Sequence, residues 1–222
     1  MLRVSVYLMI VLGLVPMLAG AQGQPIQVPK GSSITLDGKL SAGEWTDALS
    51  LNLTNGGELL LKYDGAHLLV GMKGSPKQGW GHLYLTDGKD IHVLHASAAL
   101  GSAIYRQEQG NVWQPATQFK WELRDRSLSE QAVAARAAYL ETNGWVATTN
   151  GMGEPGQVEF KVAGKFKQGQ EMTIAVAYIS DPKAMQYWPQ SLKDDCLKAE
   201  LASGFTPAAL KFDRGTWAKL RF

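Results

Sequence analysis

A series of short apolar runs separated by turn residues constrains the fold more than any other feature of the sequence. The residues that separate runs 58–63 and 67–72 begin with Asp-Gly, and so do those between 81–86 and 90–95. An Asp-Gly turn between two such runs is typical of a β-hairpin. We therefore expect two consecutive hairpins in the first half of the chain.

Runs of similar length and composition recur along the rest of the chain. They occupy 33–36, 51–54, 103–106, 118–124, 144–148, 157–162, 172–179 and 217–222. Many short strands at regular spacing, with Gly, Asp and Asn turns between them, are typical of two packed sheets. We expect an all-β fold in one domain, a two-sheet antiparallel β-sandwich of jelly-roll-like form with one or two short helices.

Two segments favour a helix. One is a helical turn that carries Trp45. The other is the alanine-rich stretch 129–140, which is followed by the stop signal Asn143-Gly144. Ser127 and Glu130 have the spacing of a capping box at its start. A strand of a surface hairpin is the alternative for this second segment.

The first residues have the pattern of a secretory signal peptide. Arg3 precedes an apolar run at 4–18, and Ala19-Gly20-Ala21 then supplies small residues for cleavage. The run is shorter than the roughly 20 residues that span a bilayer, so an uncleaved anchor is the weaker alternative. We expect a signal peptide at 1–21 and a secreted or periplasmic mature domain at 22–222.

Charge and cysteine content restrict the partners. The formal net charge is +2, and removal of Arg3 lowers it to +1. A balance so close to zero argues against nucleic acid or an anionic membrane as the partner. Cys196 is the only cysteine, so no internal disulfide can form and the apolar core must hold the fold.

The sequence contains no motif of the common catalytic sites. It has no G-x-S-x-G elbow, no Walker loop and no dinucleotide fingerprint. The acidic pairs Asp194-Asp195 and Asp87 with Asp90 are expected in solvated loops, because glycosidase carboxylates must face each other across a sugar. Calcium at Asp87 and Asp90 is an alternative, although the spacing is not that of a known loop. We expect a protein that is not an enzyme.

His92 and His95 are three residues apart in a run that reads as a strand. Side chains three apart on a strand point to opposite faces, so a shared metal ion is not expected. We expect His95 in the core or at a sheet edge.

Three segments, in order, resemble the family 9 carbohydrate-binding modules and their DOMON-like relatives. The first is similar to the opening signature of that family and comprises Ile34-Thr35-Leu36-Asp37-Gly38-Lys39-Leu40, Glu44-Trp45 and Ala48. The second, 59–72, resembles the central hairpin. The third resembles the late strands and a tryptophan-bearing loop, and comprises 157–162, 169–178 and Tyr187-Trp188-Pro189. Together they cover most of the mature chain.

This resemblance implies non-catalytic binding of a carbohydrate between two tryptophans on loops. Trp80 has the position of the first tryptophan and Trp188 that of the second, with candidate neighbours at Tyr187, Trp113 and Gln190. The apolar C–H face of a sugar packs well on a flat indole. The family commonly has acidic residues after its first tryptophan, where this chain has Gly81-His82.

The local surroundings divide the tryptophans into two groups. Those in apolar helical or strand-like runs, which we expect in the core, are Trp45, Trp121 and Trp145. Those flanked by Gly, Pro, Gln and Asn, which we expect in loops, are Trp80, Trp113 and Trp188. For the loop group, contact with a ligand and capping of the core are equal alternatives.

Two other functions remain open. Some DOMON-like relatives ligate haem b through methionine with histidine or lysine, and the candidates here are Met72, His82, His92, His95 and Met152. The other is a structural or interaction domain without a small ligand.

Overall fold

The computed structural model describes residues 24–86, 88–164, 166–181, 183, 185–193 and 209–222. The expected signal peptide, Cys196, Asp87 and Asp194-Asp195 lie outside these residues. The strands are β1 (Ile26–Gln27), β2 (Leu49–Asn52), β3 (Glu58–Tyr63), β4 (His67–Lys73), β5 (Trp80–Thr86), β6 (Asp90–Ala96), β7 (Leu100–Gln109), β8 (Val112–Pro115), β9 (Lys120–Leu123), β10 (Trp145–Ala147), β11 (Gln157–Ala163), β12 (Glu171–Ile179), β13 (Gln186–Trp188), β14 (Leu210–Lys211) and β15 (Ala218–Arg221). The helices are α1 (Ala42–Trp45) and α2 (Glu130–Asn143), with a 3-10 turn at Arg214–Thr216.

Both expected hairpins are present. β3 and β4 pair antiparallel with Tyr63 opposite Leu68, and the Asp64 carboxylate accepts the backbone N–H groups of the turn. β5 and β6 pair antiparallel with Thr86 opposite Ile91. These hairpins form because each pairs two neighbouring apolar runs across a short turn.

The strands form two sheets that pack face to face. Among the described residues, the larger sheet has the order β1-β15-β12-β5-β6-β7-β8-β14, with β13 also paired to β12 and β9 to β7. The smaller sheet has the order β10-β11-β4-β3-β2. The alternation along β5 sends Leu83 and Leu85 into the core between the sheets and His82 and Tyr84 to the outer face. The fold is therefore the β-sandwich that the sequence predicts.

A long irregular segment covers the outer face of the smaller sheet. The strand expected at 33–36 is wrong, because this segment pairs with no described strand. Within it Glu44 binds the N–H of Thr35 at 2.9 Å, and just before it Asp47 binds the N–H of Ser32 at 2.7 Å. Every other expected strand overlaps an observed one.

Helix α2 packs along β10 at the edge of the smaller sheet. Gly144 ends it in the left-handed conformation, with φ of 72°, as the sequence predicts. The expected capping box at Ser127 is wrong. The helix begins at Glu130, and the Ser129 hydroxyl accepts the N–H of Ala132 as the N-cap. Within the described part of the chain, no helix is long and apolar enough to cross a membrane.

Candidate functional site

The outer face of the larger sheet carries a second apolar cluster that is rich in aromatic side chains. Its buried aromatic members are Tyr84, Tyr105, Trp113, Phe119, Phe212 and Trp217. Four half-buried side chains pack against this cluster, namely Trp80, Trp121, Met185 and Tyr187. The cluster and these four side chains together include three of the aromatic residues that the sequence assigns to a ligand site, namely Trp80, Trp113 and Tyr187.

Trp80 and Tyr187 lie on this face, on opposite sides of β12. Trp80 begins β5 and pairs with Ile179, and Tyr187 lies on β13 and pairs with Ala177. Both partners belong to the outer cluster, and both aromatic side chains are half-buried. The loop placement of Trp80 is wrong, because it is the first residue of β5.

Trp188 points the other way. It pairs with Val176, is 6% exposed and belongs to the core between the sheets. Its expected loop placement is wrong, because β13 continues the pairing with β12 through this residue. Successive residues of a strand face opposite sides, so Tyr187 takes the outer face and Trp188 the inner one.

Trp113 is also covered. It lies on β8 opposite Leu210 and is 1% exposed, so its loop placement is wrong as well. The Arg214 guanidinium lies 4.9 Å from its ring centroid, and Phe212 packs edge-on against it. Gln190 is exposed in the turn after β13. Gln190 is thus exposed three residues after Tyr187, whereas Trp113 lies beneath other side chains.

The expected core tryptophans are mostly confirmed. Trp45 packs with Ile34, Leu60 and Leu69 on the smaller sheet, and Trp145 packs in the core between the sheets. Trp121 is half-buried against the outer cluster, with Arg124 6.0 Å from its ring centroid. It therefore lies on the same sheet face as Trp80 and Tyr187.

A pair of buried histidines lies below the aromatic residues. His82 on β5 and His95 on β6 are opposite each other, and His95 Nδ1 lies 2.5 Å from His82 Nε2. His82 Nδ1 lies 2.7 Å from the Tyr84 hydroxyl, so the three groups form a chain of hydrogen bonds. His95 also packs edge-on against Trp121, with ring centroids 5.1 Å apart.

Burial keeps both histidines neutral. It lowers the pKa of His82 to about 3, and burial together with His82 lowers the pKa of His95 well below its usual range. Each neutral ring has one donor and one acceptor nitrogen, and His95 Nε2 has no partner among the described residues. The indole Nε1 of Trp80 has none there either. Trp113 Nε1 is a third, so three buried polar nitrogens on this aromatic face have no partner among the described residues.

The local sequence pattern does not reveal this histidine pair. It predicts His95 in the core or at a sheet edge, with His92 on the opposite face of the strand. Both expectations are confirmed, since His92 is exposed and His95 is fully buried. The pairing of His82 with His95 can be predicted from the position of the hairpin turn. Residues 82 and 95 are equally far from the turn, so pairing 86 with 91 also pairs them.

The other candidate ligands of haem or metal lie apart from these histidines. Met72 is buried in the core between the sheets, and Met152 contacts Arg136 and the N–H of Thr149. Asp90 forms a bidentate ion pair with Arg106, at 3.0 and 2.9 Å. In the described ranges no three His, Cys, Asp or Glu side chains form a group that could hold a metal ion.

Comparison with known proteins finds likeness in structure only. No protein-family model matches the chain, and no curated protein does. The fold is similar to that of a family 9 carbohydrate-binding module from Caldicellulosiruptor kristjanssonii, solved in complex with glucose, with a TM-score of 0.41 and 14% identity over 89% of this chain and 95% of that one. The complex of such a module with cellotriose gives a TM-score of 0.41 and 13% identity over 89% and 93%. At this level of likeness, the sugars bound to those modules say nothing about a ligand of this chain.

Proposed function

We propose that this protein is an exported, non-catalytic carbohydrate-binding protein, and that the sugar stacks on the floor formed by Trp80 and Tyr187. One observation carries the proposal, namely two half-buried aromatic side chains on one sheet face with the small Ala177 between their strands. The C–H face of a pyranose packs on such rings, and fixed polar groups pair with its hydroxyls.

One exposed polar group beside Tyr187 suits a sugar. The Gln190 amide is exposed three residues after Tyr187. Sugar hydroxyls both donate and accept, so they can pair with either end of an amide.

The backbone under Tyr187 is held on both sides. β13 pairs with β12 on one side, and on the other the Tyr187 N–H donates to the Thr54 hydroxyl at 2.9 Å while its carbonyl accepts the Thr54 N–H at 3.0 Å. The Gln186 amide also donates to the Gly56 carbonyl. A platform that is already ordered loses little entropy when a ligand binds.

The test is a fluorescence titration of the mature chain, 22–222, with mono- and oligosaccharides, supported by calorimetry. We expect one sugar class to bind saturably. Trp80→Ala and Tyr187→Ala should each weaken binding at least about tenfold, by analogy with a base stacked on one aromatic ring, which gains about 1–3 kcal/mol.

Trp188→Phe and Trp113→Phe are the matched controls, because both side chains are covered, and both should bind like the wild type. Loss of binding in Trp188→Phe with normal binding in Tyr187→Ala would instead return the site to Trp188. A Soret band in the absorption spectrum of the same sample, without any response to sugars, would support haem b and refute the carbohydrate assignment. No response and no colour would leave a structural or interaction domain.

A further inference from the structure

A groove of about 460 Å³ lies on the side of the molecule opposite to Trp80 and Tyr187, between residues 34–37 and helix α2. It opens over the outer face of the smaller sheet, where Val146 of β10 pairs with Lys161 of β11. Its apolar walls are Ile34, Leu36, Leu128, Val133, Leu140 and Val146. The volume is in the range of small-molecule sites, about 300–1,000 Å³.

The groove coincides with the exposed apolar surface of the described chain. Leu128 and Val133 are each 53% exposed, and they are the large hydrophobic side chains that the described residues leave exposed. Both line this groove. Scattered exposed apolar residues need no explanation, but two that line one apolar concavity mark a binding surface.

The polar groups of the groove favour an anion. Arg136 is 4% exposed and donates to the backbone carbonyls of Ser127 and Asp125, at 2.6 and 3.4 Å. Neither Arg136 nor Lys161 forms an ion pair with any described residue. The lining also holds one carboxylate, Asp37, which accepts the backbone N–H of Lys39 at 2.9 Å, so the two cationic side chains exceed it by one formal charge.

Burial lowers the pKa of Arg136 although the nearby Asp125 carboxylate raises it, so the charged form is under-stabilised where it lies. A ligand carboxylate beside it would offset that cost. A hydrocarbon body would at the same time cover Leu128 and Val133. An anionic head and a hydrocarbon body together describe one class of molecule.

We propose that the groove binds a small amphiphilic carboxylate, a molecule with a hydrocarbon body and one anionic head. The body lies against Leu128 and Val133 on α2, and the head faces Lys161 and Arg136. This site is on the sheet opposite to the sugar floor and is independent of it.

The test uses decanoate below its critical micelle concentration and decanol below its solubility limit, with calorimetry on the mature chain. We expect decanoate to bind about tenfold tighter than decanol, which is about 1.4 kcal/mol, because its charged head adds hydrogen bonds to cationic groups. Lys161→Gln should lower the affinity for decanoate toward that for decanol. Lys219→Gln, which removes an exposed lysine on β15, is the control and should leave binding unchanged.

The double variant Leu128→Ser/Val133→Ser should bind neither compound and should keep its folded spectrum, because both residues are exposed. It should also bind sugars like the wild type, which separates this site from the floor at Trp80 and Tyr187. No decanoate binding by the wild type, or equal binding by the double variant, would overturn the proposal. So would a dimer in sedimentation velocity that the double variant dissociates, since the groove would then be covered by a second copy of the chain.

Discussion

The Glu159 carboxylate accepts the backbone N–H of Gly38 at 2.8 Å, across 121 residues of sequence. The same carboxylate also accepts the N–H of Asp37 at 3.1 Å and the indole N–H of Trp45 at 3.3 Å. Gly38 has φ of +80°, and a Cβ there would lie 2.6 Å from the Met152 carbonyl oxygen. The segment from Asp37-Gly38 to Trp45 is thus held to β11 by one buried acid.

Glu159 should make the protein less stable as the pH rises. Burial raises its pKa to about 7, from 4.5, despite hydrogen bonds from Gly38, Trp45 and Asp37 that lower it. Between these two values the folded state binds more protons than the unfolded state, so the free energy of unfolding decreases with rising pH. The loss is complete above pH 7 and amounts to roughly 3 kcal/mol, at about 1.4 kcal/mol per pKa unit.

Glu159→Gln removes this titration and keeps a carbonyl oxygen for the Asp37 and Gly38 N–H groups. Urea unfolding of both proteins at pH 4.5 to 8 should show the variant gaining stability relative to the wild type by roughly 3 kcal/mol across the range. The exposed Glu141 on α2 supplies the control, Glu141→Gln. Parallel profiles for Glu159→Gln and the wild type would show that the buried acid does not titrate in this range.

The buried histidines should make the protein less stable as the pH falls, which is opposite to the effect of Glu159. Their pKa values are lowered below 6.5 by burial, so the unfolded state binds more protons than the folded state at acid pH. This contribution to stability is complete above pH 6.5 and decreases as the pH falls, by about 2 kcal/mol for His82 at pH 5, and His95 contributes a loss of the same sign. His82→Gln/His95→Gln should flatten this decrease, whereas His92→Gln, on the exposed side of β6, should leave it unchanged. The measurement is again urea unfolding, at pH 5 and 7, and an unchanged acid slope in the double variant would contradict the assignment.

Substitutions of Tyr187 and Trp188 should affect different properties, sugar binding for Tyr187 and stability for Trp188. Trp188→Ala removes a side chain from the core between the sheets and should cost about 3–5 kcal/mol in the free energy of unfolding. Tyr187→Ala removes a half-buried ring and should cost about 1 kcal/mol. Thermal or urea unfolding measures both. Equal costs for the two variants would show that Trp188 is not part of the core.

The sequence predicted the hairpins and α2 because their signals are local. The two hairpins follow from apolar runs beside Asp-Gly turns, and the end of α2 follows from Gly144. Each depends on residues within a few positions of one another. The alternation of a strand between two sheet faces is also local, and it correctly separated His92 from His95.

The candidate site could be predicted only in part, because it depends on which strands pair. Pro and Gln beside Trp188 indicate a loop locally, and pairing with β12 overrides them. The faces of Tyr187 and Trp188 follow from the register of β13 on β12, which adjacent residues do not encode. The conformation of the segment before α1 could not be predicted either, because the acids that hold it are distant in sequence or lie beyond a turn. These acids are Asp47, Glu44 and Glu159.

Lys62 and Asp47 provide the last prediction, because they form an ion pair with one buried member. Lys62 lies in β3 with a side chain that is 0% exposed, and its ammonium group donates to Asp47 at 2.7 Å, to Ser32 at 3.2 Å and to the Glu44 carbonyl. The hydrogen bond from Lys62, followed by that from the Ser32 N–H, lowers the pKa of Asp47 to about 2. This contribution to stability is complete above pH 4 and is lost as the pH falls toward 2.

Removing Asp47 should therefore lower the free energy of unfolding more than replacing Lys62. Asp47→Ala leaves a buried ammonium group without its anion and should cost about 2 kcal/mol, below the 3–5 kcal/mol of a fully buried pair because Asp47 is 37% exposed. Lys62→Met replaces the lysine by an apolar chain of similar length against Trp45 and leaves Asp47 in contact with water, so its cost should be below about 1 kcal/mol. Urea unfolding at pH 7 measures both. A larger cost for Lys62→Met than for Asp47→Ala would contradict this prediction. It would show that the hydrogen bonds of the ammonium group, which hold the covering segment on the smaller sheet, outweigh the cost of burying its charge.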